Sequence, residues 1–292
     1  MDILAFLAAP FVASLILTGI HAYLGVHVVE RGVIFVDLSL AQIAALGTTM
    51  GVLYGLDPHG HGVYWTSLAF TFLGAAVFST IRGHQARIPQ EAIIGICYAV
   101  ASAAAILAMS KSVQETEHLK EMLVGNILSV SWAEVRTTAI VYGCIGLFHY
   151  IFRKRFLAIS LDHGHSGEHG YSVRFWDFLF YASFGFVVTS SVSIAGVLLV
   201  FCYLIVPSVG AMLYAERIGP RLAIGWTMGT LVSALGVYLS LKIDLPTGAT
   251  IVCTFGLVLI VMALLRGVIL RALENSAPEP AAIGPQETEL RT

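Results

Sequence analysis

The chain has 292 residues, of which 57% are hydrophobic and only 12% are charged, and its formal net charge is −2. Soluble domains average about 25% charged residues, so this chain has too few charges to cover a surface that faces water. It also has no basic stripe of the kind that nucleic-acid binding requires. These features predict a polytopic membrane protein whose outer surface contacts membrane lipid.

Apolar runs follow one another along almost the whole chain. A bilayer core needs about 20 apolar residues in a helix. Hydropathy predicts nine such segments, at roughly 3–27, 33–56, 63–81, 91–110, 133–152, 176–190, 193–214, 222–241 and 248–270. The sixth and seventh are separated by a short polar cluster, which consists of Thr189, Ser190, Ser191 and Ser193. The predicted fold class is therefore all-α, a membrane helical bundle of about eight or nine transmembrane helices.

Lysine and arginine placement orients these segments, because cytoplasmic loops carry an excess of both. With the N-terminus outside, most basic residues fall in inner loops or in the C-terminal region, among them Arg31, Arg82, Arg87, Arg153, Lys154, Arg155, Arg174, Arg217, Arg221, Arg266 and Arg271. The outer side keeps only Lys111, Lys120, Arg136 and Lys242. We therefore expect an outside N-terminus and a cytoplasmic C-terminus.

Two domains of unequal size are expected. Residues 1–274 would form the transmembrane domain, and residues 275–292, which are polar and rich in proline, would form a disordered cytoplasmic tail. The sequence contains no phosphate-binding loop of the Walker type. An enzymatic role and a bound cofactor are therefore not expected, and ATP-driven transport would need a separate ATPase chain.

Four segments carry patterns that belong together. Residues 91–96 read EAIIGI, residues 125–131 read GNILSVS, residues 193–211 read SIAGVLLVFCYLIVPSVGA, and residues 244–251 read DLPTGATI. In composition and order they resemble the metal-ion ABC transporter permeases, the membrane subunits of bacterial zinc, manganese and iron importers.

The resemblance implies a function and a set of partners. The chain would be the permease of an ATP-driven importer of divalent metal ions in the bacterial inner membrane. It would form a homodimer with a path at the two-fold interface. An ATP-binding subunit would dock on the cytoplasmic side, and a metal-binding protein would dock outside the membrane.

The same resemblance assigns a role to the charged hexapeptide after the seventh segment. Its expected ATPase-coupling residues are Glu216, Arg217, Gly219, Pro220 and Arg221. Glu216 and Arg217 would pair with the ATPase, while Gly219 and Pro220 would fix the turn. An ordinary charged inner loop remains the alternative.

The second segment departs from the family pattern GDALSHA-x-LPG. Residues 35–47 read FVDLSLAQIAALG. Aligned on Gly47, Gln42 takes the position of the family's histidine and Leu38 that of its aspartate, while Asp37 is shifted by one. A tight metal site on this helix is therefore weakly supported.

Asp37, Ser39 and Gln42 are nevertheless the expected residues of the translocation path. An ionisable residue in a span costs about 2.5–3.5 kcal/mol on insertion scales and usually faces the bundle interior. Asp37 could instead pair with Arg31 at the membrane interface. Ser39 and Gln42, three residues apart, could line the path or bond to a neighbouring helix.

Histidines cluster in two loops and could collect a metal ion. His59 and His61 follow the second segment on the outer side. The inner loop after the fifth segment holds the other candidate ligands, Asp162, His163, His165 and His169. Solvated histidine-rich loops are the alternative, since glycine-rich chain does not fix the four ligands of a closed zinc site.

A secondary metal-cation transporter with a His-rich cytoplasmic loop is the competing function. Such a protein would need its own ligands inside the membrane, and no predicted segment carries two histidines at helical i, i+4 spacing. An intramembrane enzyme is a weaker alternative, because nothing resembles a nucleophile elbow or an HExxH helix.

Overall fold

The computed structural model describes residues 3–57, 60–81, 89–109, 127–161 and 172–276. Within these ranges all regular secondary structure is helical, which confirms the predicted all-α class. The helices are α1 (Ile3–Glu30), α2 (Val36–Leu53), α3 (His61–Ile81), α4 (Gln90–Met109), α5 (Trp132–Ile151), α6 (Arg153–Leu161), α7 (Val173–Met212), α8 (Ile218–Ile243) and α9 (Thr247–Ser276). A short 3-10 turn, Ile127–Ser129, precedes α5.

Seven of these helices are long and apolar enough to cross a membrane, and α5 with α6 passes as an eighth after a bend of 74°. Large apolar side chains remain outside the core, among them Leu73 (64% exposed), Leu107 (71%) and Leu257 (63%). In water such a surface would aggregate. In a bilayer such a surface is expected, because it contacts the lipid chains. The predicted multi-pass membrane bundle is therefore confirmed.

Helix α7 is longer than one crossing requires. Its 40 residues would measure about 60 Å as a straight helix, twice the thickness of the hydrocarbon core. The helix breaks at Gly196, which has φ 76° and ψ 159°. Glycine adopts such a positive φ at little cost. The predicted break at the polar cluster of residues 189–193 is therefore wrong, since these residues are helical and the chain bends three residues later.

The two halves of α7 run in opposite directions. In the first half, Asp177 contacts Arg31 at the C-terminal end of α1. Ile194 instead packs against a small apolar cluster that contains Ala9 and Ala13, in the first half of α1. The second half returns, and Ser208 donates a hydrogen bond to the carbonyl oxygen of Ala22 (3.3 Å). Counting α5 as a crossing, α7 supplies two of nine passes in the described ranges.

These directions gather basic side chains at one end of the bundle. We call this the arginine-rich end and define it by Arg31, Arg153, Arg155, Arg217 and Arg221, which lie at the end of α1, the start of α6 and the start of α8. The positive-inside rule predicts that this end faces the cytoplasm.

Several helices approach one another with their backbones in near contact. A Cβ on Gly25 would lie 1.9 Å from the carbonyl oxygen of Leu204, and one on Gly236 would lie 2.8 Å from the Cα of Ile251. Membrane helices use such small residues because van der Waals packing holds them together. These contacts fix α1 against α7 and α8 against α9.

The predicted tail lies almost entirely outside the described residues. Helix α9 extends to Ser276 and so includes the first two residues of the expected segment 275–292. The division into residues 1–274 and 275–292 stays a prediction.

Candidate translocation path and coupling segment

Asp37 occupies a buried position in the first turn of α2. It is 1% exposed, and neither carboxylate oxygen has a hydrogen-bond partner among the described residues. The N-terminal end of a helix favours a negative side chain. The alternative that Asp37 pairs with Arg31 is wrong in this structure, because Arg31 forms its ion pair with Asp177.

The other two candidates on α2 differ in their surroundings. Ser39 is fully buried, and its hydroxyl finds no partner among the described residues. Gln42 is half-buried. The structure therefore brings Asp37 and Ser39 into the protein interior and leaves Gln42 at its margin.

Helix α4 supplies a second carboxylate, Glu91, near Asp37. Sequence reasoning used Glu91 only as the start of the family segment 91–96 and did not predict this position. Glu91 Oε1 accepts a hydrogen bond from the backbone N–H of Phe35 (3.1 Å), two residues before Asp37. The other oxygen of Glu91 is buried without a partner among the described residues. Both acidic residues belong to the junction of α2 and α4. Within the described ranges no three His, Cys, Asp or Glu side chains are grouped closely enough to hold a metal ion.

The coupling segment, residues 213–221, joins α7 to α8 at the arginine-rich end. Glu216 and Arg217 are exposed, and Arg217 is the N-cap residue of α8. Gly219 and Pro220 are also exposed but lie in the first turn of α8, not in the loop as expected. Proline fits there because the first backbone N–H groups of a helix have no intrahelical partner.

Arg221 faces the protein and not the solvent. Its Nη1 pairs with Glu30 at the end of α1, and its Nε donates to the carbonyl oxygen of Ala215 (2.9 Å). Arg221 therefore holds the coupling segment to α1, a role that sequence reasoning missed because Glu30 is distant in sequence.

A buried ionic cluster joins α1, α6 and α7. Arg31 Nη1 donates to Asp177 Oδ1 (2.7 Å), and both side chains are 1% exposed. Arg31 Nε donates to the hydroxyl of Ser160 (2.9 Å), which also hydrogen-bonds His27 Nδ1 (2.8 Å). The guanidinium carbon lies 3.9 Å from the ring centre of Phe180. Sequence reasoning missed this cluster, although an aspartate inside an apolar run is a signal of such pairing.

Of the candidate metal ligands in the two histidine-rich loops, only His61 lies among the described residues. His61 is the exposed first residue of α3. His59 and the inner-loop candidates Asp162, His163, His165 and His169 lie outside the described residues. Metal collection by these loops stays a prediction.

Comparison with known proteins identifies the family. Residues 4–266 match the ABC 3 transport family. The chelated iron transport system membrane protein YfeC of Yersinia pestis is 25% identical over 239 residues, which cover 82% of this chain and 79% of that protein. The manganese transport system membrane protein MntC of Listeria innocua is 24% identical, with 85% and 86% covered. In the structure of PsaBC from Streptococcus pneumoniae in complex with Fab, the matching chain is 23% identical, with a TM-score of 0.73 and with 88% of this chain and 90% of that chain covered. The fold and the family match agree with the four sequence patterns, and the chain belongs to the ABC 3 transport family.

Proposed function

We propose that this chain is the permease subunit of an ATP-driven importer of divalent metal ions in a bacterial plasma membrane. The observation that carries the proposal is the family match over residues 4–266, which includes all or nearly all of every described crossing. Relatives along most of the chain are named for iron and manganese transport, so we favour these ions over zinc. The secondary-transporter alternative has no support in this family.

Asp37 gives the ion an oxygen ligand inside the protein. Carboxylate oxygens suit manganese, and imidazole suits iron and zinc. Here Gln42, whose side chain ends in an uncharged amide, takes the position of the family's histidine. Transport requires binding that is weak enough for the ion to leave, and in the described ranges no three His, Cys, Asp or Glu side chains are grouped to hold the ion tightly. Ser39, two residues further along α2, is also fully buried, and its hydroxyl is a second polar group in the interior, on a different side of the helix from Asp37.

The coupling segment receives the motion of the ATP-binding subunit. Glu216 and Arg217 offer opposite charges to a partner surface, and their exposure leaves them available for ion pairs. Arg221 connects the segment to α1 through Glu30, and Arg31 connects α1 to α7. Movement of the segment therefore acts on α8 and α1 together. A homodimer places two such segments against two ATP-binding subunits, with a metal-binding protein on the opposite face.

Co-purification tests this assignment. The permease is expressed with a candidate ATP-binding subunit from the same organism and purified through a tag on the permease alone. We expect the two to elute together and to hydrolyse ATP faster when manganese or iron is delivered with the extracytoplasmic binding protein.

Charge reversal locates the contact. The double variant Glu216→Lys with Arg217→Glu should release the ATPase, while Lys154→Glu, at another exposed basic position of the arginine-rich end, should retain it. Full retention of the ATPase by the double variant would contradict the coupling role.

A further inference from the structure

A cavity of about 590 Å³ lies between α1, α5, α6 and α8. Cavities that bind small molecules typically measure about 300–1,000 Å³. Its walls are mainly aliphatic and aromatic, with Ile16 and Ile20 on α1, Leu157 on α6 and Leu222 on α8. The size and the lining suit an apolar chain.

Three glycines, which have no side chain, create the space. Gly19, Gly143 and Gly146 line the cavity. A Cβ on Gly19 or Gly143 would meet no other atom within 4 Å, and one on Gly146 would only touch Ile20 at 4.0 Å. These glycines therefore differ from Gly25, which permits close helix contact. They leave a void that no protein atom fills within the described chain.

The cavity opens at the lipid-facing surface. Tyr150 and Trp226 line it and are 63% and 44% exposed, and Trp226 Nε1 donates to the carbonyl oxygen of Gly19 (3.0 Å). Tyrosine and tryptophan are enriched where the membrane core meets the headgroups. From Ala139 to Tyr150 the lining of α5 extends about 16 Å at 1.5 Å per residue. The opening is thus placed to admit an acyl chain from the bilayer.

A positively charged side chain lies at the end of the cavity nearest the membrane surface. Arg153 lines it at the arginine-rich end. Its guanidinium carbon lies 4.3 Å from the ring centre of Tyr150, and Nη1 donates to the carbonyl oxygen of that residue (3.3 Å). Arg153 has no carboxylate partner among the described residues. Guanidinium groups bind phosphate oxygens through paired N–H donors, so this end is complementary to a lipid phosphate.

We propose that this cavity is a binding site for one glycerophospholipid per protomer. One acyl chain occupies the space beside Gly143, and the phosphodiester rests on Arg153. The site adjoins the coupling segment at Ile218, the first residue of α8. The proposal is independent of which metal ion is transported.

Photolabelling tests the site directly. The permease is reconstituted in vesicles of phosphatidylethanolamine and phosphatidylglycerol that contain phosphatidylglycerol with a diazirine on one acyl chain. After irradiation, labelled peptides are identified by mass spectrometry. We expect labels on the peptides that carry Gly19 and Gly143, saturating at one lipid per protomer.

Two variants separate chain binding from headgroup binding. Gly143→Leu should fill the cavity and lower labelling there by about tenfold. Gly256 is the control position, because a Cβ there would also have open space around it but would lie outside the cavity. Gly256→Leu should therefore be labelled like the unmodified protein. Arg153→Gln should raise the half-saturating lipid concentration by about tenfold, and Lys154→Gln should not.

Two results would overturn the proposal. One is unchanged labelling of the cavity peptides in both Gly143→Leu and Arg153→Gln. The other is a shift from dimer to monomer in Gly143→Leu with lipid labelling unaffected, which would assign the cavity to contact with a second copy of the chain.

Discussion

Removal of Asp177 should destabilise the protein far more than removal of an exposed carboxylate. Asp177→Ala deletes the oxygen that lies 2.7 Å from Arg31 Nη1, in a pair whose side chains are each 1% exposed. The guanidinium stays between Ser160 and Phe180 and keeps its charge away from water. Breaking a buried pair in this way costs about 3–5 kcal/mol. The cost should appear as an equal loss in the free energy of unfolding.

Unfolding in mixed micelles, followed while the fraction of denaturing detergent is raised, measures this loss. Glu216→Ala is the matched control and should change the free energy of unfolding by less than about 0.5 kcal/mol, because its carboxylate is exposed. The double variant Arg31→Met with Asp177→Leu should recover most of the stability, since apolar side chains can replace a buried pair. An Asp177→Ala protein as stable as Glu216→Ala would refute this reasoning.

Three further changes probe the packing, the coupling segment and the path. Gly236→Val should destabilise the α8–α9 contact by about 1–3 kcal/mol in the same unfolding assay, and Gly256→Val, which has open space around it, should not; equal effects would contradict the close approach. Glu30→Gln removes the partner of Arg221 and should lower metal-stimulated ATP hydrolysis with the ATPase still bound; unaltered stimulation would remove this pair from the coupling route. Asp37→Asn should lower metal uptake in vesicles while the recovered complex stays intact, and unchanged uptake would exclude Asp37 from the path.

The sequence predicted the helical bundle and the family because both depend on local patterns. Apolar runs of the required length define crossings whatever their neighbours are, and the four family segments are contiguous in sequence. The turn inside α7 was placed at a polar cluster, but Ser190 and Ser191 bond to the hydroxyl of Tyr142 on α5 and stay helical. The chain instead bends at Gly196, where the backbone conformation and not polarity decides.

Pairings between distant residues could not be predicted. Arg31 was expected at a membrane interface with Asp37 as its nearest candidate partner, yet it reaches Asp177, 146 residues away. Arg221 was predicted only as a member of the coupling segment, and its side chain pairs with Glu30, 191 residues away. Which carboxylate meets which cation depends on how helices are arranged, and hydropathy carries no information about that arrangement.

ATP-driven uptake in vesicles tests the proposed function most directly. The permease and its ATP-binding subunit are reconstituted together, the metal-loaded binding protein is added on one side, and ATP is supplied on the side that bears the ATPase. Our account predicts that manganese or iron accumulates on the ATP side, and that accumulation ceases when the coupling-segment double variant Glu216→Lys with Arg217→Glu replaces the unmodified chain. Metal accumulation that proceeds equally without ATP or without the ATPase would contradict it.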